Sequence, residues 1–320
     1  MRPQFEVSIG GSVISGPLMD RNMSITVVDQ EGTQSDSCTI VLDDRDGLLE
    51  EPEKNDILSV RMGYVDQELR DMGQFKVDET TLEGWPQKLT IKARAADLVD
   101  SFKEQRYDAF HNKTVNEIVS EIAKRNGMSA SVLGSVGGVK TSITQDGVSD
   151  MHLLTQLGKK FDAVASPKAG KIIFAKKGEM DLGTVTLIHP LANIKSYSRT
   201  RRSRSSHQKA KASYWDRDKV KLEHEEKSSS EGTATYGEQP YQAAGKEDAK
   251  EVSKSRADAL SRAQENLSME LMGNTEIMAE MKADIRNLRA GVDKVWRIKS
   301  ANHTIDGQTF STSFEAELPK

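Results

Sequence analysis

Apolar and polar residues alternate through much of the first hundred positions, the period of a strand with one buried face. The runs "SITVVD" and "SCTIVLDD" flank the turn-rich "QEGTQSD" and predict two strands. In "DILSVRMGYV", Leu58, Val60, Met62 and Tyr64 fall on one face. The stretch "GQFKVDETTLEGWPQKLTIKARAADL" reads as a hairpin. Phe75 and Val77 lie on one strand, Leu89 and Ile91 on the next, with Gly84 and Pro86 at the bend. Bulky apolar residues on a single face describe a sheet curled over a core.

Helical spacing follows. In "TVNEIVSEIAKRNG", Val115, Ile118, Val119 and Ile122 form one stripe. Thr114 is the predicted N-cap, Glu117 its capping-box partner and Gly127 the stop. A second short helix is predicted in "SDMHLLTQLGKKFD", with Leu153, Leu154 and Leu157 inward, and a hairpin in "ASPKAGKIIFAKK", with Ile172 and Phe174 on one face. Strand patterns return at "GTVTLI" and at "QKAKASYWD", where Ala210, Ala212 and Tyr214 alternate with Lys209, Lys211 and Ser213. The Ser-, Gly- and Glu-rich span 226–245 reads as an exposed loop. A long helix is predicted over 246–272 from the spacing of Ala249, Val252, Leu260, Ala263, Leu267 and Leu271. The chain closes on a hairpin around Asp306 and Gly307, with Phe310 and Phe314 alternating on its last strand.

The pattern predicts an α+β protein, mainly β, in three segments: β over 1–105, a small α+β insert over 106–182, and β plus the long helix over 183–320. The two β segments show no sequence repeat, but two related barrels fit their arrangement.

Composition narrows the function classes. A chain of 320 residues is long enough for more than one core. The net charge is -4, so no general basic excess marks a nucleic-acid binder. Cys38 is the single cysteine, which rules out an intrachain disulfide and points to folding in a reducing cytoplasm. The opening "MRPQFEVSIGGSV" carries no apolar signal-peptide core, and no apolar run approaches the roughly 20 residues that span a bilayer.

Candidate chemistry fails on spacing. No two of the six histidines sit at i, i+4 on a predicted helix, and no cysteine pair accompanies them. "LDDRDGLLEEPE" has acids at several EF-hand positions, but Leu42 takes the first ligand position. "LGSVGGVKTS" has Val139 between Gly138 and Lys140, which breaks the phosphate-loop motif. A G-x-S-x-G nucleophile motif and a carboxylate pair in an apolar setting are both missing. The expectation is a non-enzyme with no catalytic, cofactor or metal residues, working through interactions.

One charge feature remains. Residues 195–211, "KSYSRTRRSRSSHQKAK", hold seven Lys or Arg in seventeen and no acid. No helix-turn-helix pattern flanks them, so no specific nucleic acid is expected. Arg199, Arg201, Arg202, Arg204, Lys209 and Lys211 are the candidate partner interface.

Four stretches, taken together and in order, resemble the bacteriophage late control gene D protein family. They are "DGLLEEPEKNDILSVRMGY", "GQFKVDETTLEGWPQKLTIKARAADL", "TVNEIVSEIAKRNGM" and "VWRIKSANHTIDGQTFSTSFEAEL". The resemblance runs nearly the whole chain. That family supplies the central hub of contractile phage tails and is similar to the hub part of the VgrG proteins of type VI secretion. The resemblance implies two tube-like β-barrel domains joined by the insert. Three chains would form a homotrimeric ring of six similar barrels, pseudo-sixfold toward the tail tube and threefold toward the spike. Such a ring uses barrel edges in neighbour pairing. It further implies spike, tube and other baseplate proteins as partners, a place in the virion tail baseplate, and assembly in the bacterial cytoplasm. No OB-fold and spike extension of the VgrG kind follows the closing hairpin, so a separate spike protein is expected. The helix at 114–126 also has a LysM-like look, which would make the chain a peptidoglycan-binding or cell-wall-hydrolysing tail-tip protein. A LysM unit requires a compact βααβ repeat, and only one helix fits. In a hub, the basic stretch becomes a rim that meets acidic residues of a neighbouring subunit, the spike or the tube.

Overall fold

The computed structural model describes residues 1–14, 21–96, 100–168, 170–179, 182–202, 207–216, 218–228, 234–236, 243–307 and 309–319. It is mainly β, with three α-helices among the described residues, and it divides into two compact units.

The first unit gathers Met1–Asp97, Gly183–Ser198 and Leu267–Ala316. Its strands belong to one extended sheet of thirteen, in which Ser12–Val13 pairs at the edge beside Pro3–Ile9 and the other twelve resolve into two six-stranded sets. In the first set, Pro3–Ile9 neighbours Ile57–Tyr64, followed in order by Arg70–Glu83, Lys88–Ala95, Ser37–Asp43 and Asn22–Gln30. In the second, Thr184–Ile188 neighbours Lys282–Arg286, followed by Val295–Asp306, Thr309–Glu317, Glu265–Met272 and Ile194–Arg201. Counted along the chain within each set, both read first, fourth, fifth, sixth, third, second. The sets differ in the direction of their first strand. Pro3–Ile9 runs antiparallel to Ile57–Tyr64, whereas Thr184–Ile188 runs parallel to Lys282–Arg286. The duplication is therefore one of strand order, with no matching sequence repeat to announce it.

The predicted alternation builds the first set. Cys38, Ile40 and Leu42 face inward on one strand, and Leu58, Val60, Met62 and Tyr64 on another. They share a core with Phe75, Val77, Leu89 and Ile91. The second set buries Leu267, Met269, Leu271, Ala283, Ile285, Trp296, Ile298 and Phe314. One long strand joins the sets. Val295–Asp306 pairs through Arg297, Trp296 and Val295 with Lys282, Ala283 and Asp284 of its own set. Through residues 300–306, on the same edge, it pairs with residues 24–30 of the other.

His303 lies inside that joining strand with no exposed surface. Its Nε2 is 3.0 Å from the Ile277 carbonyl, and its Nδ1 is 3.0 Å from the Thr312 hydroxyl. The carbonyl can only accept, so Nε2 carries the proton and Nδ1 accepts from Thr312. Burial pushes the imidazole pKa down to about 4. An unfolded histidine titrates near 6.5, so between pH 6.5 and 4 the unfolded chain binds the extra proton. His303 thus contributes full stability above pH 6.5 and loses it as pH falls toward 4, by about 3 kcal/mol in all. Urea midpoints of the native chain and His303→Gln at pH 7 and pH 4.5 test this. The gap between the two proteins should narrow at the lower pH, and a gap independent of pH would exclude the assignment.

The second unit comprises Leu98–Leu182, Arg199–Asn266 and Glu317–Lys320. Helix α1, Val115–Arg125, starts at a complete capping box. Thr114 Oγ1 accepts from Glu117 N at 3.2 Å, and Glu117 Oε2 accepts from Thr114 N at 2.7 Å. The helix buries Val115, Ile118, Val119, Ile122 and Ala123. Helix α2, Asp150–Phe161, buries Leu153, Leu154, Leu157 and Phe161 against the same core. Strands Ser129–Leu133 and Lys140–Ser149 stand between the two helices, so they are not the consecutive pair of a βααβ motif. Ala163–Lys168 and Lys171–Lys176 form the predicted hairpin, with Ile172 and Phe174 buried.

Three expectations change. The helix predicted over 246–272 is α3, Lys246–Arg262, and Glu265–Met272 is a strand burying Glu265, Leu267, Met269 and Leu271. Leu267 and Leu271 are four apart, which suits a helix and is also an even number that suits a strand. The span 226–245 is not loop throughout. Lys221–Ser228 and Ala234–Tyr236 are strands flanking His207–Asp216, while residues 229–233 and 237–242 lie outside the described residues. "KLEHEEKS" is polar on both faces and carries no alternation signal. Finally, His207–Asp216, expected in the second barrel, belongs to that separate three-stranded sheet and packs in the second unit's core through Ala212 and Tyr214.

Candidate assembly interface

The basic candidates fall on two strands. Arg199 and Arg201 lie on Ile194–Arg201, Arg202 follows directly, and Lys209 and Lys211 lie on His207–Asp216. Arg204 lies outside the described residues.

Ile194–Arg201 sits at one end of the extended sheet and, among the described residues, pairs with Glu265–Met272 alone. Six of its eight positions, 195–198 among them, are exposed, and only Ile194 and Arg199 are half-buried. Arg199 makes a bidentate contact with Glu265, with Nε to Oε2 at 3.0 Å and Nη2 to Oε1 at 2.9 Å. The hydrogen bonds that Arg199 donates to that carboxylate raise its pKa further. Lys195 Nζ is 3.4 Å from Glu270 Oε1 across the same pair of strands. Arg201 Nε is 3.9 Å from Glu265 Oε1, and its side chain is 66% exposed. The backbone of Arg202 donates to Gln264 O at 2.8 Å, which extends the ladder by one residue. Arg199 is thus held by its own chain, and Arg201 is the more exposed of the two. On the other strand, Lys211 stands directly opposite Glu226 and Lys209 opposite Ser228. Cross-strand opposition of unlike charges stabilises the pair locally.

The other sequence candidates resolve into structure. Asp44 Oδ1 accepts from Leu49 N at 3.0 Å, and Asp46 is salt-bridged to Arg21. These acids shape a turn. Where a phosphate loop would hold its anion, the chain supplies its own: Glu179 Oε2 accepts from Ser135 N at 2.8 Å. Burial alone would push the Glu179 pKa up, but the bonds from Ser135 outweigh it and hold the carboxylate low. Among the described residues, no group of three or more His, Cys, Asp or Glu could hold a metal ion. No helix among them is long and apolar enough to cross a membrane. Within the first unit, an open cavity of about 700 Å³ is lined by Tyr64, Arg70, Glu276 and Phe310 among others, with no His, Cys or Lys in its wall.

The sequence missed a second group of edge residues. Arg70–Glu83 pairs with Ile57–Tyr64 only as far as Lys76 opposite Ile57. Beyond that point residues 78–83 pair, among the described residues, on one edge only, with Lys88–Ala95. Leu82 is 57% exposed there, beside Asp78, Glu79 and Glu83. The signal in the sequence was length, since a strand of fourteen residues outruns its neighbour of eight.

Comparison with known proteins places this arrangement. The probable baseplate hub protein of Escherichia phage 186 is 37% identical over 179 residues, 56% of this chain and 46% of the relative. That of Escherichia phage P2 is 35% identical over 180 residues, with the same coverage. The chain spans about half the length of the curated relatives it matches. The 43 kDa tail protein of prophage MuSo2 from Shewanella oneidensis has the same fold. It superposes at a TM-score of 0.71 with 16% identity, over 99% of this chain and 98% of that one. The resemblance to phage tail hubs read from the sequence therefore stands. The YQBQ-like family matches residues 83–317, most of the chain and both of its units, and the protein belongs to that family.

Proposed function

We propose that the chain is a structural hub of a contractile phage tail or tail-like particle, located in the baseplate, where it joins the sixfold tail tube to a threefold spike. The repeated strand order carries this reading: one chain supplies two six-stranded sets of the same topology. Three copies supply six sets, which lets a threefold object present a pseudo-sixfold face. Each set is then one tube-like barrel domain, built mainly from the segments 1–105 and 183–320, with 106–182 as the insert. The function is mechanical and needs no catalytic group. Spike, tube and other baseplate proteins are the partners, met after assembly in the bacterial cytoplasm.

Light scattering on the purified chain, alone and with candidate tube and spike proteins, tests the reading. A trimer is expected, and a chain that stays monomeric throughout overturns it. The basic rim of Arg199, Arg201, Arg202, Arg204, Lys209 and Lys211 belongs to the same proposal. Rim charges act chiefly on register and association rate. Reversing Arg201 and Arg202 to Glu should slow association by about tenfold or more at low salt. The melting temperature should stay within about 2 °C, as for other exposed substitutions. Unchanged assembly kinetics in stopped-flow would reduce the stretch to a solvated surface.

A further inference from the structure

Among the described residues one junction occurs twice, once filled and once vacant. In the filled copy, residues 300–306 of Val295–Asp306 extend beyond their own set's Lys282–Arg286 and receive residues 24–30. The incoming strand, Asn22–Gln30, is the last strand in the order of the first set. In the second copy, residues 78–83 of Arg70–Glu83 extend in the same way beyond Ile57–Tyr64, and no strand is paired there among the described residues. The counterpart of the incoming strand is Ile194–Arg201, last in the order of the second set, whose outer edge is also unpaired among the described residues.

The environments match that account. In the filled junction Ile25 and Val27 are buried beside Ala301, His303 and Ile305, and the hydroxyls of Thr26 and Thr304 meet at 3.2 Å. At the vacant sites the equivalent positions are open. Residues 195–198 are exposed on both faces, and residues 78, 79, 82 and 83 are exposed. An unpaired, exposed edge of this length invites association unless it has an intended partner.

We propose that residues 194–198 of one copy pair antiparallel with residues 78–83 of a second copy, repeating between chains the junction already made within each. This rests on the ring reading above and gives it its strands. The contact is heterologous, since each chain donates one edge and accepts another, so it closes into a ring or runs on as a filament. Two sets per chain and a three-chain ring give six junctions, three inside chains and three between them. Charge favours the pairing. The charged residues of the donor strand are Lys195, Arg199 and Arg201, all basic, and those of the acceptor edge are Asp78, Glu79 and Glu83, all acidic. Each of these acids already has a cation on the neighbouring strand, at Arg94, Lys92 and Lys88. The charges therefore steer the approach, and backbone pairing supplies the adhesion.

Carrying the registers of the filled junction across the two sets puts Tyr197 opposite Glu79 or Thr80. Cys38 is fully buried, so introduced thiols are the only ones available for ready cross-linking. Three single variants are made in the full chain: Tyr197→Cys, Glu79→Cys and Thr80→Cys. Each is oxidised alone and in mixture after light scattering. Covalent dimers should appear when Tyr197→Cys is mixed with Glu79→Cys or Thr80→Cys, and be lost when any variant is oxidised by itself. A chain carrying both changes should give a closed species of three chain masses. Trimers without mixed cross-links, or with links within one variant alone, overturn the strand assignment and leave the ring reading standing. Mixed cross-links that grow past three chains support the junction and overturn the closed ring. A monomer without cross-links overturns both.

Discussion

Arg262→Ala destabilises the second unit by about 3–5 kcal/mol at neutral pH, the cost of leaving buried charge without its partner. Arg262 is the last residue of α3 and is 2% exposed. Its Nη2 is bonded to Asp162, and its Nε is 3.3 Å from Glu317 Oε1. Asp162 is itself the C-cap of α2, in the left-handed region at φ 52°. One guanidinium therefore ties together the end of α3, the end of α2 and the close of the last strand. Burial pushes the Asp162 carboxyl up, against the pull of Arg262. Without the arginine, Asp162 and Glu317 face one another with less compensation, and the burial that pushes the Asp162 carboxyl up is less opposed. The folded variant then holds more protons above the unfolded carboxylate values of about 4, so its stability falls as pH rises through that point. Urea unfolding followed by circular dichroism should show the full deficit at pH 7 and a smaller one at pH 4. Adding Asp162→Asn at pH 7 should recover part of the loss, because it removes one of the stranded charges. An equal deficit at both pH values would mean that Arg262 acts by packing its stem and not by its charge.

This network shows why part of the molecule was hidden in its sequence. Thr114, Glu117 and Gly127 mark α1 plainly, because capping is local and uses few residue types. Leu58, Val60, Met62 and Tyr64 mark their strand because one face meets the core and the other meets water. Gln105–Thr114 left no such mark: it buries only Phe110 and is otherwise half-buried or exposed. Lys221–Ser228 buries nothing, so its pairing rests on backbone bonds and opposed charges. The parallel pairing of Thr184–Ile188 with Lys282–Arg286 spans about a hundred positions, beyond the reach of any local pattern.

The candidate interface was legible in one half only. Seven basic residues in seventeen announced the donor side. The acceptor side, 78–83, looked like the ordinary end of a hairpin, because its acids alternate with bases on the facing strand. Its meaning lies in the strand that fails to cover it, which is a property of register. The same holds for the duplication. Two sets share a strand order without sharing residues, because each position asks only for an apolar inward face, which many sequences supply.

Trp296→Ala should cost the first unit about 3–5 kcal/mol from the cavity alone. The indole is fully buried in the second set, opposite Ala283 across the pair of strands. Alanine as the facing residue leaves room that only a large ring fills. The indole Nε1 donates to Val292 O at 2.8 Å, so truncation also leaves a carbonyl without its donor, at about 1–3 kcal/mol where water cannot replace it. Trp296→Phe separates the two effects. It keeps most of the volume and loses the bond, so its deficit should be clearly smaller than that of the alanine variant. Emission reports the site directly, since Trp85 is 86% exposed and Trp215 50% exposed, leaving Trp296 as the buried indole. Its blue-shifted component should vanish in both variants. The consequence for assembly follows from position: Trp296 lies on the strand whose outer half receives residues 24–30. Hydrogen exchange in Trp296→Ala should speed up at residues 300–306 and 24–30 together, while α1 and α2 in the second unit keep their protection. Faster exchange confined to residues 282–298 would show that the joining strand holds its partner without help from the indole at its root.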